Sequence, residues 1–268
     1  MKHKILFVVA HPDDESLWVG GILNFLSKRE EVEVYVLCVT GKHDENRSKE
    51  FEQALEIAGI KNWYLADENI PTVGGIFLSD LDNSIINGLK ELELKLSDID
   101  LLITHPLYGD EHKHAQHSQL FLQMHHLCNG NHETITSNTM SKLGKAWIPF
   151  GFFSSVSIPN FSLTPIHSDM RRDKETHVIN YCRCSGTWHK SGQSWLTAPQ
   201  FFVQFRVDPA AKSKMLQCYQ SINQEEHQRG YASWDNYVEG LYLMNNNGHE
   251  VIKSVYENLE VPGGEGLF

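Results

Sequence analysis

A chain of 268 residues, 41% hydrophobic and 21% charged, has the size and make-up of an ordinary globular protein and can bury a core without disulfide or metal staples. Its 23 basic and 34 acidic residues leave a formal net charge of −11, which argues against a broad basic face for nucleic acid and against docking on an anionic membrane. A small-molecule substrate, neutral or cationic, remains.

Residues 5–10 form the longest apolar stretch near the start, far short of the roughly 20 needed to span a bilayer and too short for a signal-peptide core. Five cysteines, odd in number and with no CxxC pair, fit reduced thiols, and Cys182-x-Cys184 is read as packing. The expectation is a cytoplasmic protein without membrane insertion; its oligomeric state stays open.

Residues 4–10 predict a buried strand, a nearly unbroken apolar run that stops at the polar turn His11-Pro12-Asp13-Asp14-Glu15. A helix over about 16–28 follows, since proline suits a first turn and carboxylates suit the positive end of the helix dipole. Residues 32–39 predict a second strand. A helix opening near Asn46 places Phe51, Leu55 and Ala58 on one face, and residues 63–66 make a short third strand. Leu81, Ile85, Leu89, Leu92 and Leu96 recur at helical spacing and lead into a fourth strand over 99–104. Next, a helix starting near Lys113 would put His114, His117, Leu120, Phe121 and Met124 on one face.

Strand and helix alternate, so the fold class is α/β: a Rossmann-like, mostly parallel sheet flanked by helices. Further on, residues 147–157 and 199–207 read as strands and 209–222 and 234–243 as helices, with a Gly- and Ser-rich loop over 185–195 between them. Neither repeats nor a linker are evident. The expectation is one domain over 1–268, its core in 1–128 and its C-terminal part, 146–268, completing the pocket.

Ligands of parallel sheets bind beyond the carboxyl ends of the strands. There the first strand delivers His11, Asp13 and Asp14, the second Thr40-Gly41, and the fourth His105 and the run from Tyr108 to His117. Two His/Asp clusters after two strands of one sheet suit a catalytic zinc, which takes three His or carboxylate ligands and keeps a fourth position open. His11 and Asp14 come from one turn, and His117 best closes the set. Taken singly, His105, His112, His125 and His126 read as solvated loop histidines. His112-x-His114-x-x-His117 also approaches the histidine-rich motif of the metallo-β-lactamase fold, but that motif wants Asp where Gln116 stands and leaves the first cluster without a role.

Ala10-His11-Pro12-Asp13-Asp14-Glu15, Gly20-Gly21, Thr40-Gly41, Arg47-x-x-Glu50 and His114-x-x-His117 together resemble the PIG-L/LmbE-like zinc-dependent N-deacetylases over about residues 4–124. Beyond these, 212–221 and Glu239-Gly240-Leu241 are loosely similar to the family's closing helices. The resemblance implies one zinc per chain on His11, Asp14 and His117, with Asp13 as general base and His114 assisting at the carbonyl. The activity it implies is removal of an acetyl group from an amino sugar or glycoconjugate precursor. Ala115 replaces a common proline, and His112 stands where some members have Tyr, so the oxyanion donor is open among His112, Tyr108 and His114.

The chemistry needs these residue types whatever the family. A zinc ion acidifies water and polarises an amide carbonyl, an unliganded carboxylate moves the proton, and an imidazole stabilises the oxyanion. Glu15 would orient His11 or cap the helix. Arg47 could bind a polar substrate group or pair with Glu50, and Asp67 could accept hydrogen bonds from sugar hydroxyls. Trp188 and Trp195 are candidates for a wall against sugar C–H faces, or simply anchors of their loop. Two rivals remain: a metal-dependent amidase acting on an N-acyl amino acid or other small amide, and a non-catalytic sugar- or nucleotide-binding module. The second lacks a G-x-G-x-x-G after the first strand.

Overall fold

A computed structural model describes residues 2–66, 72–73, 76–77, 81–105, 115–129, 150–153, 201–221, 238–243, 251–252 and 254–255. Strand β1 (His3–Val9) is the hub, because its run from Ile5 to Ala10 is fully buried and can only sit inside a sheet covered on both faces. It pairs in parallel with β2 (Val32–Cys38) on one side and with β6 (Leu101–Thr104) on the other. Beyond β2 lies β3 (Asn62–Leu65), also parallel; beyond β6 lies β7 (Phe150–Phe153), parallel again. The far edge is β9 (Val238–Leu243) and β8 (Phe201–Arg206), and the order across the seven described strands is β3-β2-β1-β6-β7-β9-β8. Only β9 runs against the rest. A separate hairpin pairs β4 (Thr72–Val73) with β5 (Ile76–Phe77), which flank Gly74-Gly75 and which sequence reading does not anticipate.

Helices α1 (Asp14–Leu26), α2 (Glu45–Ala58), α3 (Leu81–Glu91), α4 (Ala115–Asn129) and α5 (Pro209–Cys218) connect the strands. The Asp44 carboxylate caps α2 by accepting from the main-chain N–H groups of Asn46 and Arg47 at 3.0 and 3.1 Å, and Gly59 closes it in the left-handed region. Leu17, Ile22, Leu23 and Leu26 of α1 and Phe51, Ala54, Leu55 and Ala58 of α2 pack into one core with β1 and β2. No helix among the described residues is long and apolar enough to cross a membrane.

Two expectations are corrected here. Helix α3 ends at Glu91 and does not reach Leu96: Glu93 adopts φ 54, which breaks the helix, and a short 3₁₀ turn (Leu96–Asp98) resumes the chain. Residues 238–243, expected within a helix, form β9, where Glu239 and Leu241 are buried at strand spacing and both neighbours, β7 and β8, satisfy the backbone. Glu239-Gly240-Leu241 therefore belongs to a strand and not to a closing helix.

Helix α1 is broken at Val19 (φ −140, ψ 16). Past the break, the main-chain N–H groups of Gly21 and Ile22 donate to the Glu239 carboxylate at 3.1 and 2.7 Å, so the side chain caps a second helical start inside one helix. Lys212 Nζ lies 2.6 Å from the same carboxylate, and both side chains are essentially buried. A Cβ on Gly21 would stand 2.4 Å from the Val207 side chain; glycine is what lets the segment entering α5 approach α1.

Candidate metal centre

The strand order reverses at β1: the chain moves from β1 outward to β2 and β3, then returns to β1's other side with β6. Such a reversal opens a crevice at the carboxyl ends of the strands. His11, Asp13 and Asp14 leave β1 there, and His105 leaves β6 there. Helix α4 starts at Ala115 and brings in His117, which is buried with Leu120, Phe121 and Met124 as the helical spacing predicts. The turn after β1 is pinned from β2. The Thr40 hydroxyl donates to the Ala10 carbonyl at 2.6 Å, and Gly41, at φ 106, lies where a Cβ would collide with the Pro12 ring at 2.4 Å.

Asp14 Oδ2 is the focus of the cluster. It lies 3.4 Å from His11 Nδ1, 3.3 Å from His117 Nε2 and 3.4 Å from His105 Nε2, and it accepts the His11 main-chain N–H at 2.8 Å. Its other oxygen accepts the Trp18 indole N–H at 3.2 Å. Burial pushes this carboxyl upward, but the imidazoles of His117 and His105 and the hydrogen bonds outweigh it and hold the group well below the usual carboxylate range. Asp14 is therefore an anion at neutral pH.

His11 Nδ1 and His117 Nε2 are 3.1 Å apart, and His11 Nε2 lies 2.8 Å from Gln116 Oε1. Ligand atoms of His11, Asp14 and His117 all lie within 4.8 Å of one another. Two ring nitrogens and a carboxylate oxygen aimed at one point are the donor set that a divalent cation such as zinc takes, so the residues fit the metal.

His105 is not a solvated loop histidine. It is fully buried, stacks on His117 with ring centroids 3.8 Å apart, and its Nε2 accepts the Ala10 main-chain N–H at 3.0 Å. Burial, with the His117 ring beside it, pushes its pKa down to about 4, so it is a neutral imidazole. Its one sequence signal is its place, directly after β6 at the edge that also presents His11.

Asp13 caps α1 from a main-chain conformation rare for any residue but glycine, φ 122 and ψ −30, at a cost of about 1–3 kcal/mol. Its N–H donates to Glu15 Oε2 at 3.0 Å, and its carbonyl accepts from Ser16 and Leu17. Glu15 is fully buried and faces Asp13, Ser16 and Tyr219; burial pushes its carboxyl up to about 7 against three hydrogen bonds that pull it down. Those bonds come from the Asp13 N–H, the Ser16 hydroxyl at 2.5 Å and the Tyr219 hydroxyl at 2.6 Å. Glu15 thus ties the turn to α5 and does not contact His11 in the hydrogen-bond pattern. Tyr219 is 204 residues away, and its only sequence signal is its place in the loosely similar segment 212–221.

Arg47 is half-buried in the first turn of α2 and makes no ion pair with Glu50, whose carboxylate instead accepts the Ser221 N–H at 2.8 Å and the Ser221 hydroxyl. Asp67, Tyr108, His112, His114, Trp188 and Trp195 lie outside the described residues. Of the expected site residues, the structure brings together His11, Asp14 and His117, with Asp13 at the lip of the same turn.

Comparison with known proteins agrees with this reading of the first half. Residues 6–126 match the family described as PIG-L: GlcNAc-PI de-N-acetylase. A curated relative, the probable N-acetylglucosaminyl-phosphatidylinositol de-N-acetylase of Schizosaccharomyces pombe, is 33% identical over 76 residues, which are 28% of this chain and 30% of that protein. The match thus spans less than a third of the relative's length. Among solved structures, N,N'-diacetylchitobiose deacetylase from Pyrococcus horikoshii is similar at a TM-score of 0.51 and 15% identity, covering 90% of this chain and 83% of that one. A conserved protein of Thermus thermophilus aligns at a TM-score of 0.50 and 17% identity over 89% of this chain and 93% of its own. These structures establish the α/β fold.

Proposed function

We propose that the chain, whose residues 6–126 match the PIG-L family, is a zinc-dependent hydrolase that removes an N-acetyl group from an amino sugar or glycoconjugate precursor. The observation that carries this is the convergence of His11, Asp14 and His117 at the switch point of the sheet, with Asp13 in the same turn as His11 and Asp14. The deacetylase names of the curated relative and of the Pyrococcus horikoshii structure support an N-acetyl amino sugar as the substrate class.

His11, Asp14 and His117 would hold the ion. When bound, zinc supplies a Lewis acid that polarises an amide carbonyl and lowers the pKa of water. Asp13 is the general base: its carboxylate takes the proton of the attacking water and delivers a proton to the leaving amine. Asp13 directly precedes Asp14 in the chain, and its strained backbone is fixed by the bond from its N–H to Glu15, which supports a role beside the ion and not as one of its ligands. His114 assists at the carbonyl oxygen, with His112 and Tyr108 as alternative oxyanion donors. Arg47, Asp67, Trp188 and Trp195 contact the sugar. Buried Cys38 and free Cys218 suit a reducing, cytoplasmic compartment.

The test is Asp13→Asn, assayed by release of acetate and free amine from a panel of N-acetyl amino sugars alongside zinc content. Zinc stays near one per chain while kcat falls by about 10²–10⁴. Loss of zinc would make Asp13 a ligand; retention of both zinc and activity would place the base elsewhere.

A further inference from the structure

Gln116 sits one residue before His117 in the first turn of α4, and its side chain turns back across the crevice to the other histidine. Its Oε1 lies 2.8 Å from His11 Nε2. An amide oxygen can only accept, so this contact requires the proton of His11 on Nε2 and leaves the lone pair on Nδ1. Nδ1 is the nitrogen that faces Asp14 Oδ2 at 3.4 Å and His117 Nε2 at 3.1 Å. One hydrogen bond therefore fixes both the tautomer and the ring orientation that a cation at this point needs. Residues 11 and 116 sit on the turn after β1 and on α4, so the same bond locks together the two segments that supply the ligand set.

We propose that Gln116 is a positioning residue for the metal, acting through His11. This rests on the metal reading above and adds to it the residue that presets the most exposed of its ligands: the His11 side chain is 21% accessible, against 1% for His117 and 4% for Asp14. His117 and Asp14 are held by burial and by their neighbours, and His11, the more exposed ring, gains a directed bond to Gln116. Glutamine does this without adding charge, so Asp14 remains the only carboxylate among His11, Asp14, Gln116 and His117.

The experiment measures zinc affinity of the full chain by competition with a chromogenic chelator, together with the visible spectrum of the cobalt-substituted protein. It compares the wild type with Gln116→Leu, Gln116→Ala and Gln116→Glu. Leu keeps bulk and Ala removes it, but both lack the acceptor, and each weakens zinc binding about 10- to 100-fold and shifts the cobalt bands. Glu restores an oxygen acceptor of the same length and rescues affinity to within about threefold of the wild type. Zinc binding by the Leu variant equal to wild type, with an unchanged cobalt spectrum, overturns the proposal; so does a Glu variant as weak as Leu. If one of the apolar variants does not fold, as judged by circular dichroism of the metal-free chain, the other carries the comparison. Failure of the wild type to bind zinc at all is a different result, and it removes the metal reading itself.

Discussion

His105 shows how far a single side chain can depart from its sequence surroundings. Its neutral imidazole gives the Ala10 N–H an acceptor and backs His117, so His105→Leu removes a buried hydrogen bond and leaves a backbone donor unsatisfied, at about 1–3 kcal/mol. Urea unfolding of the metal-free protein reads this. The same residue sets a pH dependence. Its folded pKa of about 4 lies below the ordinary 6.5, so between those values the unfolded chain takes up a proton that the folded chain refuses. Stability of the metal-free protein therefore falls as pH drops through that window, by up to roughly 3 kcal/mol from this group, and the slope is shallower in His105→Leu. An unchanged slope in the variant would assign the acid sensitivity to other groups.

The interrupted helix α1 is the element on which the site and the C-terminal part meet. Its first turn carries Asp14 and Glu15, and its second helical start is capped by Glu239 of β9, itself paired with Lys212 of α5. A buried pair costs desolvation on both partners, and removing one leaves the other uncompensated. Glu239→Leu and Lys212→Met should each destabilise by about 3–5 kcal/mol, and the double variant by less than the sum of the two. A double-mutant cycle by denaturant unfolding measures the difference; strict additivity would mean that the two charges act independently. Gly21→Ala should cost roughly 1–3 kcal/mol or more through its overlap with Val207, a packing effect that leaves the ligand atoms in place.

At the scale of the whole molecule, the segment that carries the family match does not hold its own polar groups. Glu15 takes the Tyr219 hydroxyl, Glu50 takes the Ser221 N–H, and the N–H groups of Gly21 and Ile22 take Glu239. A fragment of residues 1–130 would leave buried groups unsatisfied and the β6 side of the sheet without β7, β9 and β8. It is expected to lack a cooperative thermal transition, as followed by circular dichroism, whereas the full chain shows one. The proposed zinc site would add to the stability of the full chain by mass action, about 4 kcal/mol at free zinc 1,000 times its Kd, so treatment with a strong chelator should lower Tm and added zinc should restore it. A Tm indifferent to both would contradict a site shared by β1's turn and α4.

Local chemistry made much of this protein legible in one dimension. An apolar run ending in His-Pro-Asp-Asp-Glu, helical spacing from His117 to Met124, and alternation of strands with helices follow from period and polarity within a few residues of chain, and they placed β1, β2, β3, β6 and the side chains of His11, Asp14 and His117 that converge. The folded state decided whatever depends on partners far away in sequence. Residues 238–243 became a strand because two neighbouring strands take up their backbone groups, and His105 became a buried neutral ring because β6 lies beside β1. Glu15 went to Tyr219, 204 residues on, and Gln116 went to His11, 105 residues back. Hydrogen bonds and burial at such separations leave no periodic trace along the chain, since the distance that governs them exists only after the sheet has formed.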